Sequence, residues 1–282
     1  MTESPALNQL IAETGEILSP PLIYARLNDA VNHPRTSIND IAQIISEDAG
    51  LTARILKLAN SPLYGRSNVD TISRACTLIG TREVRDLSLA VSIIQSAKLP
   101  EGFSLMNHWR HSVGCGIIAR NIATFLREPS IERYFIAGIL HDIGLLVLFG
   151  KRSEQARAIK QAADRQLRPL YHVELEKLGF DHGRLGGELL AHWGLPANIT
   201  SLVTYHHQPS LAEGFQRDTT IIHLADIICQ ALVFGESSEF YISPLDEQAY
   251  DRLDLPLSEI ENIFNQSDRQ LQEILPIMMA AA

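Results

Sequence analysis

The strongest constraint on this chain is a polar doublet embedded in an apolar stretch. From Phe135 to Leu146 it reads Phe-Ile-Ala-Gly-Ile-Leu-His-Asp-Ile-Gly-Leu-Leu, and only His141 and Asp142 are polar. The pattern predicts an apolar core helix that carries both groups inside. Burying an adjacent imidazole and carboxylate is costly unless something pairs with both. A divalent cation would, since neutral imidazole nitrogen and carboxylate oxygen are its usual ligands. The plain alternative is a hydrogen-bonded pair in the core or at the surface.

Helical spacing dominates the rest of the chain. Ile38, Ile41, Ile44 and Ile45 line one face after a Ser37 N-cap. Leu51, Ile55 and Leu58 mark a second helix, stopping near Asn60-Ser61-Pro62, and Val84, Leu87, Val91 and Ile94 mark another. No alternating strand pairs and no Asn-Gly or Asp-Gly hairpin turns stand out, so the fold class is all-α. Leu99-Pro100-Glu101-Gly102 is a natural break. Helices are then expected at about 106–126, 131–149, 151–166, 182–193, 196–207 and 218–234, with Gly194 and Pro196 as a stop signal and a loop over 208–217. Ser258-Glu259-Ile260-Glu261 reads as the capping box of a last helix. Its apolar face would be Ile260, Ile263, Phe264, Leu271, Ile274 and Leu275.

Composition narrows the class. The 282 residues allow one large domain or two modest ones, and 45% hydrophobic against 20% charged residues argues against wholesale disorder. The best apolar run, Ile143 to Phe149, is too short to span a bilayer, so no membrane association is expected. The start, MTESPALNQL, lacks the features of a signal peptide. Cys76, Cys115 and Cys229 are few, odd in number and far apart, which points to a reducing cytoplasm rather than a disulfide framework. Net charge is −9, and residues 236–282 hold ten acidic but only two basic side chains. With no basic stripe, no nucleic-acid partner is expected.

Other polar residues share the character of the doublet. His111 lies on a helix in Trp109-Arg110-His111-Ser112, His182 opens a helix, and His206-His207 end one whose core face holds Ile199, Leu202 and Val203. Asp226 lies one turn after Ile222 in an apolar helix. Together with the doublet these are seven potential ligands from five segments. One ion takes about four to six ligands, so seven suffice for a two-metal centre. Each has a bland reading: adjacent histidines on a helix diverge, and Asp226 could meet an arginine. His33, His108, His172, His192 and His223 take the structural reading.

The order of these residues resembles the HD superfamily of metal-dependent phosphohydrolases: a His, then a His-Asp doublet, then a distal Asp. The added His182 and His206-His207 resemble its binuclear branch, which includes the HD-GYP cyclic-di-GMP phosphodiesterases. The fuller likeness is to the HDOD family, the HD-related output domains of bacterial signalling. It runs over about residues 18–235 through Pro20-Pro21-Leu22, Ile44 to Thr52, Leu56 to Ser61, Ala75 to Gly80, Trp109 to Ser112, Gly138 to Gly144 and Trp193 to Pro196.

The resemblance implies an N-terminal helical subdomain over 18–100 and an HD-like metal-binding subdomain over 101–235. Residues 1–17 would be an extension and 236–282 an acidic C-terminal helical segment. By carry-over His111, His141, Asp142, His182, His206, His207 and Asp226 match the metal positions of the binuclear branch, with Fe, Mn, Zn or Ni as candidate ions. If the centre is active, Asp142 and His141 are its catalytic residues. The chain also departs from the active pattern. The HD-GYP lysine three positions after the doublet is Leu145, a glutamate one turn before the first His is Asn107, and the Gly-Tyr-Pro motif is absent. Losing the lysine removes a fixed charge where charge develops on phosphoryl oxygens, which commonly costs about a hundredfold in rate; Arg110 or Arg184 is a candidate replacement.

Three functions follow. The first is a signalling module acting on a protein partner or a small phosphorylated ligand, with weak or no catalysis. The alternative is a metal-dependent phosphohydrolase acting on a nucleotide or phosphodiester. A metal-free helical adaptor is the third, and it requires seven polar side chains to satisfy one another.

Overall fold

The structure, a computed structural model, describes residues 5–14, 21–65, 68–97, 103–231 and 242–280. Among them there is no strand. The chain divides into two compact units: residues 20–96 with 268–282, and residues 1–19 with 97–267. Helix α1 (Pro5–Glu13) belongs to the larger unit.

The smaller unit holds α2 (Leu22–Asn32), α3 (Ile38–Ser46), α4 (Ala49–Ala59), α5 (Ile72–Ile79) and α6 (Thr81–Ser96). Ser37 caps α3 as expected. Its hydroxyl accepts from the Asp40 N–H at 3.3 Å, and Asp40 Oδ2 accepts from the Ser37 N–H at 2.8 Å, a reciprocal capping box. Ile41, Ile45, Leu51, Ile55, Leu58, Val84, Leu87, Val91 and Ile94 form the core, while Ile38 is exposed. α4 stops at Ala59, where Asn60 clamps the following turn: its side chain donates to the Val69 carbonyl and accepts from the Val69 N–H, both at 2.7 Å.

The larger unit is built around α7 (Leu105–Phe125), whose residues from Val113 to Ala123 are buried on every face. A helix buried all round is the centre of a bundle. Around it come α8 (Glu132–Leu140), α9 (Ile143–Lys151), α10 (Ser153–Gln166), α11 (Leu170–Leu178), α12 (His182–His192), α13 (Ala197–Thr204), α14 (Gln216–Ala231) and α15 (Glu247–Tyr250). The last helix, α16 (Leu257–Met279), contributes residues to both units.

Several expectations are corrected. The single helix expected at 131–149 is two, α8 and α9, broken at the doublet itself, with Asp142 at φ −97° and ψ 14°. A uniformly apolar run offers no change of phase to mark such a break. The span Glu132–Lys151, longer than the run Ile143–Phe149, is long and apolar enough to cross a membrane, and 89% of its most apolar 18-residue stretch is buried inside the protein, as in a core segment. His206-His207 lie in the turn after α13, which ends at Thr204. Residues 170–178, given no element from the sequence, form α11. Ser258 does not cap α16, which starts one residue earlier at Leu257. Leu99-Pro100-Glu101-Gly102 and the end of the helix expected at 218–234 lie outside the described residues.

Two glycine contacts set the helix crossings of the larger unit. A Cβ on Gly138 of α8 would stand 2.5 Å from the Gly116 Cα of α7, and one on Gly144 of α9 would stand 2.0 Å from the His182 carbonyl oxygen of α12. The backbones touch at both places, so no side chain fits. The first crossing sets His111 beside His141; the second sets Asp142 beside His182. Gly138→Ala tests the first. Helix propensity alone would stabilise the protein by about 1 kcal/mol. Overpacking against Gly116 reverses the sign, to a loss of about 1–3 kcal/mol, read as a lower midpoint in urea unfolding.

Candidate metal centre

All seven candidate ligands converge in the larger unit and all are buried. His111 comes from α7 and Asp226 from α14. His141 and Asp142 occupy the turn between α8 and α9, His182 is the first residue of α12, and His206 and His207 follow α13.

Three of the imidazoles are aimed by the nitrogen that does not face the centre. His141 Nδ1 lies 2.7 Å from the Gly138 carbonyl oxygen, His206 Nδ1 2.7 Å from the Val203 carbonyl oxygen and His182 Nδ1 2.7 Å from Glu174 Oε2. Each acceptor takes the Nδ1–H, which leaves an Nε2 lone pair pointing inward, the usual way a metal-binding histidine is held.

The inward atoms fall into two groups with Asp142 between them. In one, His111 Nε2 is 3.0 Å from Asp226 Oδ1 and 3.3 Å from His141 Nε2, and Asp142 Oδ2 lies 3.4 Å from His141 Nε2. In the other, His182 Nε2 is 2.9 Å from His207 Nε2 and 3.2 Å from Asp142 Oδ1, and His206 Nε2 is 3.8 Å from that oxygen. Ligands about 2.0–2.2 Å from a common ion lie roughly 3–3.5 Å from one another. His206 Nε2 is buried without a hydrogen-bond partner. These donors fit divalent cations.

The electrostatics agree. Burial opposes the charge on Asp142, yet His141 and His182 hold its carboxyl well below the usual range. Asp226 is lowered against burial by His111 and His141. His141 and His182 are raised well above their ordinary value, against burial, with Asp142 acting on the first and Glu174 and Asp142 on the second. Burial pushes His206 down to about 3, and burial with His206 and His182 lowers His207. The acids are therefore ionised and favour protons on His141 and His182, while His206 and His207 stay neutral; a cation that bound here would displace those protons.

Sequence reasoning missed three supporting residues. Glu174 is buried on α11, where it accepts the His182 N–H at 2.8 Å as well as its ring proton. Its signal is an inversion, a buried acid beside the exposed Leu175. Gln230 and His223 lie four residues after and three before Asp226, on its face of α14, and that spacing was the available signal. His108 is buried one turn before His111. His33 and His192 are exposed and His172 is half-buried. Leu145 is buried, so an apolar side chain stands at the lysine position. Arg110 and Arg184, the candidate replacements, are half-buried on α7 and α12.

The HDOD domain family matches residues 17–209, more than half of the chain. This chain belongs to the HDOD family. The matched residues include six of the seven ligands; Asp226 lies beyond them and is brought in by α14. A Treponema pallidum (strain Nichols) protein, itself named only "Uncharacterized protein", is 27% identical over 242 residues, 82% of this chain. The chain spans about half the length of that relative, 46%. Among solved structures, a Shewanella amazonensis protein named "Putative phosphohydrolase" is 24% identical with a TM-score of 0.76, covering 99% of each chain. An HDOD domain protein from Geobacter sulfurreducens is 22% identical with a TM-score of 0.75, covering 98% of this chain and 96% of its own. At these identities the likeness carries the all-helical HDOD fold.

Glu174→Ala removes the group that aims His182. Loss of such a partner typically costs 10–100-fold in metal affinity. Metal retained after dialysis against a graded chelator should fall accordingly, whereas Glu176→Ala, on the exposed face of α11, should leave it unchanged.

Proposed function

We propose that this HDOD protein is a bacterial signalling module built on a two-cation centre, acting by binding a protein partner or a small phosphorylated ligand with little or no turnover. The observation that carries the centre is Asp142, whose Oδ2 faces His141 while its Oδ1 faces His182. His111, His141 and Asp226 would hold one ion and His182, His206 and His207 the other, with Asp142 shared. Iron, manganese, zinc and nickel all suit such mixed nitrogen and oxygen ligation.

Bound cations would supply Lewis acidity toward phosphoryl oxygens and acidify water. The chain's own part is to hold the ligands, through Glu174 and the backbone carbonyls, and to keep the surroundings dry. Buried Leu145 supports weak catalysis, because it puts no positive charge where the HD-GYP lysine would meet a phosphate. Cys76, Cys115 and Cys229 are free and buried, which supports a reducing, cytoplasmic setting.

A second reading, hydrolysis of a nucleotide or phosphodiester, is favoured by the full ligand set. In it His108, neutral because burial pushes it down to about 3 and with a buried Nε2 lacking a hydrogen-bond partner, is the candidate proton carrier.

Protein prepared without chelator should carry about two ions per chain, by the two-metal argument, and Asp142→Ala should lose most of both. Cyclic dinucleotides, nucleotides and an aryl phosphodiester, each with added Mn²⁺ or Fe²⁺, should show no turnover above the free metal ion. Turnover abolished by Asp142→Ala would replace the binding reading with the hydrolytic one. Absence of bound metal would sink both.

A further inference from the structure

Beyond the ligands, two side chains of α14 connect the centre to residues Ser243–Asp246, which lead into α15. Gln230 is buried, and its Nε2 donates to Asp226 Oδ1 and Oδ2, both at 3.1 Å. Its Oε1 accepts from the Ser243 N–H at 3.0 Å. The amide's orientation is determined from both ends, since a backbone N–H needs an acceptor and a carboxylate needs a donor.

His223 makes a parallel connection. Its Nε2 accepts from the Asp246 N–H at 3.0 Å, so the ring proton is on Nδ1, which donates to the His206 carbonyl oxygen at 2.7 Å. The far end is anchored as well. Asp246 Oδ2 accepts from the Ser210 hydroxyl at 2.7 Å, and Oδ1 accepts from the Ala249 N–H at 2.9 Å as the N-cap of α15. Ser243 is buried although Ile242, Pro244 and Leu245 on either side are exposed, so hydrogen bonding rather than apolar burial holds this segment down.

We infer that Gln230 is a positioning residue of the metal centre, relaying the docking of Ser243–Asp246 to Asp226, so that this segment and cation binding stabilise each other. The inference rests on the metal-centre reading above. A docked Ser243 amide holds the Gln230 carboxamide in the orientation that supports Asp226. An undocked amide frees Gln230 to turn, and Asp226 loses both hydrogen bonds from its Nε2. By linkage, a cation that needs Asp226 in place must in turn favour the docked segment.

The test uses the full chain with Mn²⁺ alone as probe. Gln230→Met keeps the length and packing of the side chain and removes all three hydrogen bonds. Mn²⁺ affinity, from equilibrium dialysis, should fall about tenfold or more. In the wild type, Mn²⁺ should slow hydrogen exchange at the Ser243 amide by the same factor, about tenfold. In Gln230→Met that slowing should be lost at Ser243 and kept at Asp246, which His223 holds independently. Ser243→Pro deletes the donor, at the cost of fixing the local backbone, and leaves the Gln230 and Asp226 side chains in place, so a loss of affinity there repeats the result should Gln230→Met unfold. Wild-type protein that binds Mn²⁺ while both folded variants bind it equally well overturns the relay and leaves the metal centre standing. Wild-type protein that binds no Mn²⁺ overturns both.

Discussion

The larger unit is organised by one carboxylate that faces two ways. Asp142 is buried, and its two oxygens meet different sets of imidazoles, 3.4 Å from His141 on one side and 3.2 Å from His182 on the other. A buried carboxylate of this kind needs compensating positive charge or a dense shell of donors. With Asp226 it makes two acids in one dry place; against burial, Asp142 and Asp226 raise His141, and Glu174 and Asp142 raise His182. The fold gathers two carboxylates among nitrogen ligands, and the positive charge they draw as protons is charge that bound cations would supply instead.

Backbone contacts decide whether that concentration can form. Imidazoles from different helices reach a common point only if the helices approach more closely than side chains normally permit. At Gly116 and Gly138 the two backbones are in contact, as are Gly144 and the start of α12, so the glycines bracket the doublet on both sides. The break between α8 and α9 then turns Asp142 out of helical geometry and toward both groups. The apolar sequence around the doublet thus has two roles. It fills the core, and its glycines let the core be thin where the ligands meet.

Much of this was legible in the residues. Helical period, the Ser37 cap, the stop after Ala59 and the seven ligands all leave local marks, and the His-Asp doublet in apolar surroundings is visible without coordinates. What was not legible is information that periodicity does not carry. The α8–α9 break has no Pro and no change of phase. α11 carries no amphipathic signal, because its buried face includes Glu174 while Leu175 is exposed. Spacing on α14 places Gln230 and His223 on the face of Asp226, but their further partners, like the partner of Glu174, lie eight to seventeen residues away or across a loop and leave no periodic mark.

The same view separates holding a cation from using it. Holding needs aimed lone pairs, and here each of His141, His182 and His206 is aimed by a group behind it. Using it on a phosphate also needs positive charge on the substrate's side, since the oxygens gain charge as the bond breaks. At the position where the resembling enzymes carry a lysine, this chain spends a buried leucine on packing. Apolar packing there stabilises the bundle and supplies no charge. Holding and using are thus separable demands, and a full ligand set beside a missing charge meets the first without meeting the second.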